Sequence, residues 1–295
     1  MLFSPRLLAA LALMVNAFVW GVSWWPFRQL QGQGLHPLWA TVVVYSVAVL
    51  VIAVARPHAF GQVLRRPVLW VLVIASGSTN AAFNWGVAIG DVVRVVLLFY
   101  LMPLWVVLLA RVLLHEKLTW LAGARVLLAL AGAAVVLWPE EGGAFPLPRS
   151  LPDWLGVCGG FSFALNNVML RREARQPEES RALAMFLGGV LVAGGLASVL
   201  ASHGQVAWPP APSVGWVPLV LVLSVFFLIS NMALQYGAAR LPANVASVVM
   251  LTEVLFASVS AMLLGGGKMT VALAVGGSLI LMAALLSTLD KSSAH

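Results

Sequence analysis

Ten apolar runs of about 18–25 residues recur along the chain, at roughly 4–25, 36–55, 68–90, 92–114, 118–138, 153–171, 182–202, 213–239, 241–264 and 269–289. At 1.5 Å per residue, each can cross a hydrocarbon layer about 30 Å thick. Lipid gives a peptide N–H or C=O no partner, so each run must satisfy its backbone internally, as a helix. Composition agrees: 61% of the residues are hydrophobic and 9% charged, where soluble domains carry about 25% charged residues. The fold class expected is an all-α polytopic membrane protein with ten transmembrane helices.

A net charge of +7 could point to nucleic acid, but its distribution argues against that. With the N-terminus in the cytoplasm, twelve of the 17 Lys and Arg residues fall on the cytoplasmic side. Four (Arg28, Arg94, Arg149 and Lys268) fall outside, and Arg125 lies within the fifth helix. This is the positive-inside bias of a multi-pass protein with both termini in the cytoplasm. The bacterial inner membrane is the expected location, the lipid bilayer the expected partner, and nucleic acid is not expected as one. The opening "RLLAALALMVNA" has the elements of a signal peptide, yet its apolar run continues through "FVWGVSWW", so an uncleaved first helix is expected. Cys158 stands alone in an apolar run, where a structural role is expected.

The chain also repeats itself. A shift of 151 residues pairs "NAAFNWG" (Asn80–Gly86) with "NMALQYG" (Asn231–Gly237), and Lys117 and Thr119 with Lys268 and Thr270. At the start of each half the shift is 143, pairing Trp20–Arg28 with Phe163–Arg171. Two units follow, 1–140 and 150–290. Five helices per unit is odd, so the second begins on the opposite side of the membrane from the first. Two inverted five-helix repeats around a central cavity are characteristic of secondary transporters, with the substrate near the midplane.

Trp20-Gly21 in the first helix, "LMPLW" around Pro103, "HEKLT" from His115 and "LTEVL" around Glu253 together resemble the drug/metabolite transporter superfamily, in its ten-helix form with two EamA-type repeats. The resemblance covers nearly the whole chain. Val254 replaces the family's usual proline, Gly267 stands where a loop glutamate is usual, and Arg125 stands at a usual glycine. Among members, the aromatic density is similar to that of aromatic amino-acid exporters of the YddG type.

Polar side chains within a membrane face the bundle interior or a cavity, so helical spacing picks out the inward stripes. The third helix presents Ser76, Asn80, Phe83 and Asn84, and the eighth Phe227, Asn231, Leu234 and Gln235. The first presents Asn16, Trp20 and Ser23, and the sixth Phe163, Asn166, Asn167 and Leu170. Amides interleaved with aromatics on paired helices read as a lined cavity, although a single amide serves equally to bond two helices. Trp24 and Phe27 suit an interfacial aromatic belt as well as a ligand contact.

Glu253 is the carboxylate deepest in an apolar run, about 12 residues or roughly 18 Å into the ninth helix. It suits either a clamp between helices or a site for a cation or proton. Met250 shares its face, Phe99 and Met102 hold the paired face of the fourth helix, and Tyr100 lies off that face. Asp91 and Arg94 flank a tight outer turn and read as a surface pair.

The five histidines lie at loops or ends without a metal-ligand partner one turn away, and no nucleophile elbow or phosphate loop is present. Neither enzyme activity nor a metal or cofactor is expected. The reading is a secondary transporter exporting amino acids, aromatic ones in particular, acting as a monomer by alternating access. An apolar wall accepts the ring and a few polar groups the zwitterion. The substrate-binding residues expected are Asn16, Trp20, Asn80, Phe83, Asn84, Phe99, Tyr100, Met102, Phe163, Asn167, Asn231, Gln235, Met250 and Glu253. The alternative is a multidrug exporter of aromatic organic cations.

The orientation is testable directly. In a Cys158→Ser background, a cysteine at Arg175 should react with an impermeant thiol reagent from the cytoplasmic side and one at Ala211 from the outer side. The reverse pattern refutes the topology.

Overall fold

Prolines and short polar turns punctuate the apolar runs, and the helices begin and end at them. The computed structural model describes residues 5–113, 115, 120–138, 147–173, 176–238, 240, 249–250 and 252–286, and every regular element among them is a helix. In order these are α1 (Pro5–Val22), α2 (Trp24–Gly32), α3 (Pro37–Ala55), α4 (His58–Arg65), α5 (Pro67–Ile89), α6 (Val92–Phe99) and α7 (Met102–Leu113). They continue with α8 (Trp120–Val136), α9 (Leu151–Arg172), α10 (Glu178–Ser202), α11 (Val217–Ala238), α12 (Thr252–Leu264) and α13 (Val271–Leu286).

Five of the helical stretches are long and apolar enough to cross a membrane, and a sixth if α4 and α5, set at 100° to each other, count as one span. Shorter apolar stretches lie in α8, α12 and α13. The large exposed hydrophobics, among them Leu50, Val54 and Val271, are the reverse of a water-soluble surface and suit contact with lipid. The chain is a multi-pass membrane protein.

Three boundaries differ from the sequence reading, each for a local reason. The first span does not stop near residue 25 but runs to Gly32, broken at Ser23, whose N–H and hydroxyl both turn back to the Trp20 carbonyl, at 3.3 and 2.8 Å. Pro26 has no N–H to give the Val22 carbonyl, which loosens the ladder at that turn. The fourth run is also two helices, parted at Tyr100 and Leu101, because Pro103 cannot donate to the carbonyl of Phe99. The short helix α4 has its own face: Ala59 and Val63 are buried, while Leu64 and both flanking arginines are exposed. In the ninth run, residues 241–248 lie outside those described.

The described connections gather at the two ends of the bundle. One end carries Arg28, the α5–α6 turn and the α12–α13 turn, joined by Val92 N–H donating to the Gly266 carbonyl at 3.1 Å. The opposite end carries Arg66, whose guanidinium bonds Gln176. Helix α5 packs on α9 and α10, and α10 also on α3; α1 packs on α11 and α12, and α8 on α13. Cys158 is exposed on α9.

Helices α5 and α10 meet at Gly77 and Gly188, where a Cβ on Gly188 would overlap the carbonyl of Val73 and one on Gly77 that of Gly188. Backbones so close require both residues to lack a side chain. Gly188→Val should force the helices apart and lower stability by about 1–3 kcal/mol, read as a fall in thermal unfolding temperature in detergent. An unchanged midpoint would mean the helices can slide without loss.

A midplane cavity walled by both halves

The polar stripes of the first, third, sixth and eighth spans converge on a single space. A cavity of about 330 Å³ lies among α1, α3, α5, the α6–α7 break, α9, α10, α11 and the start of α12. Lining residues on α5 and α11 sit mid-helix, while those on α10 and α12 sit in the first turns. The space therefore occupies the middle of the bundle and the half toward the Arg66 end.

One wall is a run of aromatic rings in contact. Trp20 meets Phe83 edge-on at 5.8 Å and Phe227 at 4.8 Å between centroids. Phe83 meets Phe99 at 5.0 Å, and Phe99 meets Phe163 at 5.3 Å. From Phe227 the run continues to Tyr45 and Phe186. Edge contacts of this kind hold rings in fixed orientations, and the wall draws on both halves of the chain.

The opposite chemistry is concentrated at Glu253. It is 7% exposed and lines the cavity. The Tyr100 hydroxyl donates to its Oε2 at 3.1 Å. Tyr100 reaches the cavity because the helix breaks beneath it; on a continuous helix it would point away from the Phe99–Met102 face. Gly21 lets α1 come close to this point, since a Cβ there would lie 2.8 Å from the Glu253 carbonyl oxygen. The Trp20-Gly21 pair thus puts a ring into the cavity and removes a side chain from the α1–α12 contact.

The amides divide. Asn16 lines the cavity while its Nδ2 donates to the Ser230 carbonyl and hydroxyl, at 3.0 and 2.6 Å, joining α1 to α11. That bond to a carbonyl fixes which amide atom is which, leaving Asn16 Oδ1 buried without a partner among the described residues. Asn80 accepts from the Tyr45 hydroxyl at 2.7 Å and donates to the Ser76 carbonyl at 2.9 Å. Asn167 donates to the Met102 sulfur at 3.9 Å. Asn231 and Met250 also line the cavity.

Asn84 does not line it. It is fully buried and donates to the Thr41 hydroxyl at 3.0 Å, bonding α5 to α3. Four residues advance a helix by about 40° more than a full turn, which carries Asn84 from the cavity face seen at Asn80 to the α3 face. The side chain of Gln235 lies outside those described. Asn84→Leu should therefore lower thermal stability by about 1–3 kcal/mol, the cost of orphaning a buried partner, and leave ligand affinity unchanged. A loss of affinity at unchanged stability would return Asn84 to the site.

Sequence reasoning missed Leu13, Tyr45, Thr79, Met185 and Phe186 as lining residues. Thr41 and Tyr45, one turn apart on an α3 whose other polar residue is Ser46, were the available signal for Tyr45; Met185 and Phe186 gave none. Trp24 and Phe27 form neither belt nor cavity: both are buried toward the Arg28 end, and Trp24 Nε1 donates to Ser260 at 2.9 Å.

Arg94 corrects another expectation. Its guanidinium grips Asp153 through two bonds, at 2.6 and 3.1 Å, and the Val136 carbonyl at 2.7 Å. Asp91 instead caps α6 through the Arg94 N–H, at 2.9 Å, and accepts from the Lys268 N–H at 3.2 Å. Gly267 leaves room for this, since a Cβ there would lie 2.5 Å from the Asp91 carboxylate.

A solved crystal structure matches this fold with a TM-score of 0.57, at 20% identity over 95% of this chain and 96% of that one. No curated protein matches the sequence. The sequence model of the EamA-like transporter family matches twice, over residues 7–138 and 150–289. With nearly the whole length so matched, the chain belongs to the EamA-like transporter family, within the drug/metabolite transporter superfamily.

Proposed function

We propose that the protein is an inner-membrane secondary transporter that exports amino acids, aromatic ones in particular, by alternating access. It would act as a monomer of ten spans in two inverted repeats, 1–140 and 150–290, with both termini in the cytoplasm and no cofactor. The twofold family match supports the duplication. The observation carrying the substrate assignment is the cavity's asymmetry. Rings of Trp20, Phe83, Phe99, Phe163 and Phe227 stand along one wall, and Glu253 with Tyr100 marks a polar point. An aromatic side chain stacks on that wall while its amino group meets the Glu253 carboxylate. Asn16, Asn80, Asn167 and Asn231 supply neutral polar contacts, Met102 and Met250 adaptable apolar ones, and Gln235 belongs to the same proposed set.

A second reading, export of aromatic organic cations, is favoured by one feature. Among the described lining residues no Lys, Arg or His faces the Glu253 carboxylate, so a ligand without its own carboxylate leaves no charge uncompensated. Aromatic faces attract cations as well. Uptake into liposomes by the purified protein, with a panel of amino acids and cationic dyes, separates the two; transport of dyes alone overturns the amino-acid assignment.

Glu253→Gln preserves size but removes the charge. It should weaken binding of amino acids by about 1.5–3 kcal/mol, the worth of a charged hydrogen bond. Tyr100→Phe, which keeps the carboxylate, should weaken it less. Concentration dependence of uptake measures both, and an unchanged affinity for Glu253→Gln would remove Glu253 from substrate binding.

A further inference from the structure

The cavity is closed toward one end by polar contacts that the substrate reading does not use. Helix α2 ends the first span, and its Arg28 reaches across to three peptide carbonyls. Nε donates to Ala88 at 3.0 Å, and the Nη2 group bonds Gly90 and, at 3.4 Å, Gly266. The side chain lies over the Trp24 ring at 4.8 Å. One guanidinium thus fastens the end of the first span to the α5–α6 turn of its own half and to the α12–α13 turn of the other.

Two features distinguish this cation from a static anchor. First, its hydrogen bonds all end on neutral carbonyls, while nearby Asp91 is engaged by the backbone N–H groups of Arg94 and Lys268. Arg94, by contrast, grips the Asp153 carboxylate with two charged bonds. Guanidinium bonds to carbonyls can be exchanged for water without stranding a buried charge pair. Second, Arg28 spans a natural seam. Helix α1 packs on α11 and α12, whereas α5 packs on α9 and α10. The side-chain bonds of Asn16 to Ser230 and of Asn84 to Thr41 each stay on one side of that seam. Beneath Arg28 lie Ser23, 1% exposed, and then Trp20 on the aromatic wall.

We propose that Arg28 is the latch of the gate at this end. Its fork of carbonyl bonds holds α2 against the α5–α6 and α12–α13 turns while the cavity is closed here, and it must release for the cavity to open on this side. This rests on transport by alternating access, but not on the identity of the substrate.

The test uses two cysteine reporters, each in the full chain with Cys158→Ser, in right-side-out and inside-out membrane vesicles. Ser23→Cys lies just under the latch, and Leu13→Cys lines the cavity toward the other end. Arg28→Ala should speed labelling of Ser23→Cys by an impermeant reagent from the Arg28 side by at least about tenfold. It should slow labelling of Leu13→Cys from the opposite side. Should Arg28→Ala fail to accumulate, Arg28→Lys, with an ammonium in place of the fork, should shift both rates in the same directions by less. Unchanged labelling of Ser23→Cys overturns the latch, and so does faster labelling of both reporters, which would indicate general loosening. Labelling needs no substrate, so a failed amino-acid assignment would leave this outcome readable.

Discussion

Within a lipid-facing bundle, a polar side chain can find a partner only on another helix or in a cavity. Most of this architecture follows from how the chain distributes its polar groups between those two places. Asn84 bonds Thr41, Asn16 bonds Ser230 and Trp24 bonds Ser260, and each bond specifies one helix pairing within an otherwise oily interior. Uniform apolar packing would fix neither partner nor register so sharply. Glu253 is the carboxylate among the described lining residues, and its described side-chain partner, Tyr100, also stands at the cavity. The rest of its carboxylate faces the cavity.

That division explains what the sequence reveals and what it hides. Stripes at helical spacing carry Asn16, Trp20, Asn80, Phe83, Phe163 and Asn167 to the cavity because their helices run straight there. The same reasoning errs at Asn84, one turn from Asn80, since a small angular advance is enough to exchange cavity for helix neighbour. Tyr100 looked misdirected for the opposite reason: its helix was assumed continuous, and the Pro103 break turns it inward. Arg94 lies three residues from Asp91 yet pairs with Asp153, 59 residues away, and no local pattern signals a partner that only helix packing supplies. The boundary of the first span was misplaced because the amphipathic end, α2, dilutes the apolar signal without ending the helix.

The cavity wall and the seam have different mechanical characters. Trp20 contacts Phe83 from the α5 group and Phe227 from α11, so the aromatic wall itself crosses the seam. These ring contacts rest on many weak dispersion terms rather than on hydrogen bonds. Directional bonds across the seam are the Tyr100–Glu253 bond at the cavity and those at the Arg28 end, where Arg28, Val92 and Lys268 join the two turns.

The proposed exchange of sides needs this combination. Were the wall built from hydrogen-bonded pairs across the seam, each rearrangement would expose unsatisfied polar groups to a water-poor interior. Were the end sealed by a charge pair such as Arg94–Asp153, opening would separate two charges held by two short bonds. Arg28 bonds neutral carbonyls at a bundle end where water can replace it, with the Asp91 carboxylate nearby attracting its charge without a direct bond. The strong ion pair fastens α6 to α9, two helices that pack together. Strength inside each helix group, ring contacts along the aromatic wall and polar contacts at the Arg28 end are the properties on which the proposed alternating access would draw.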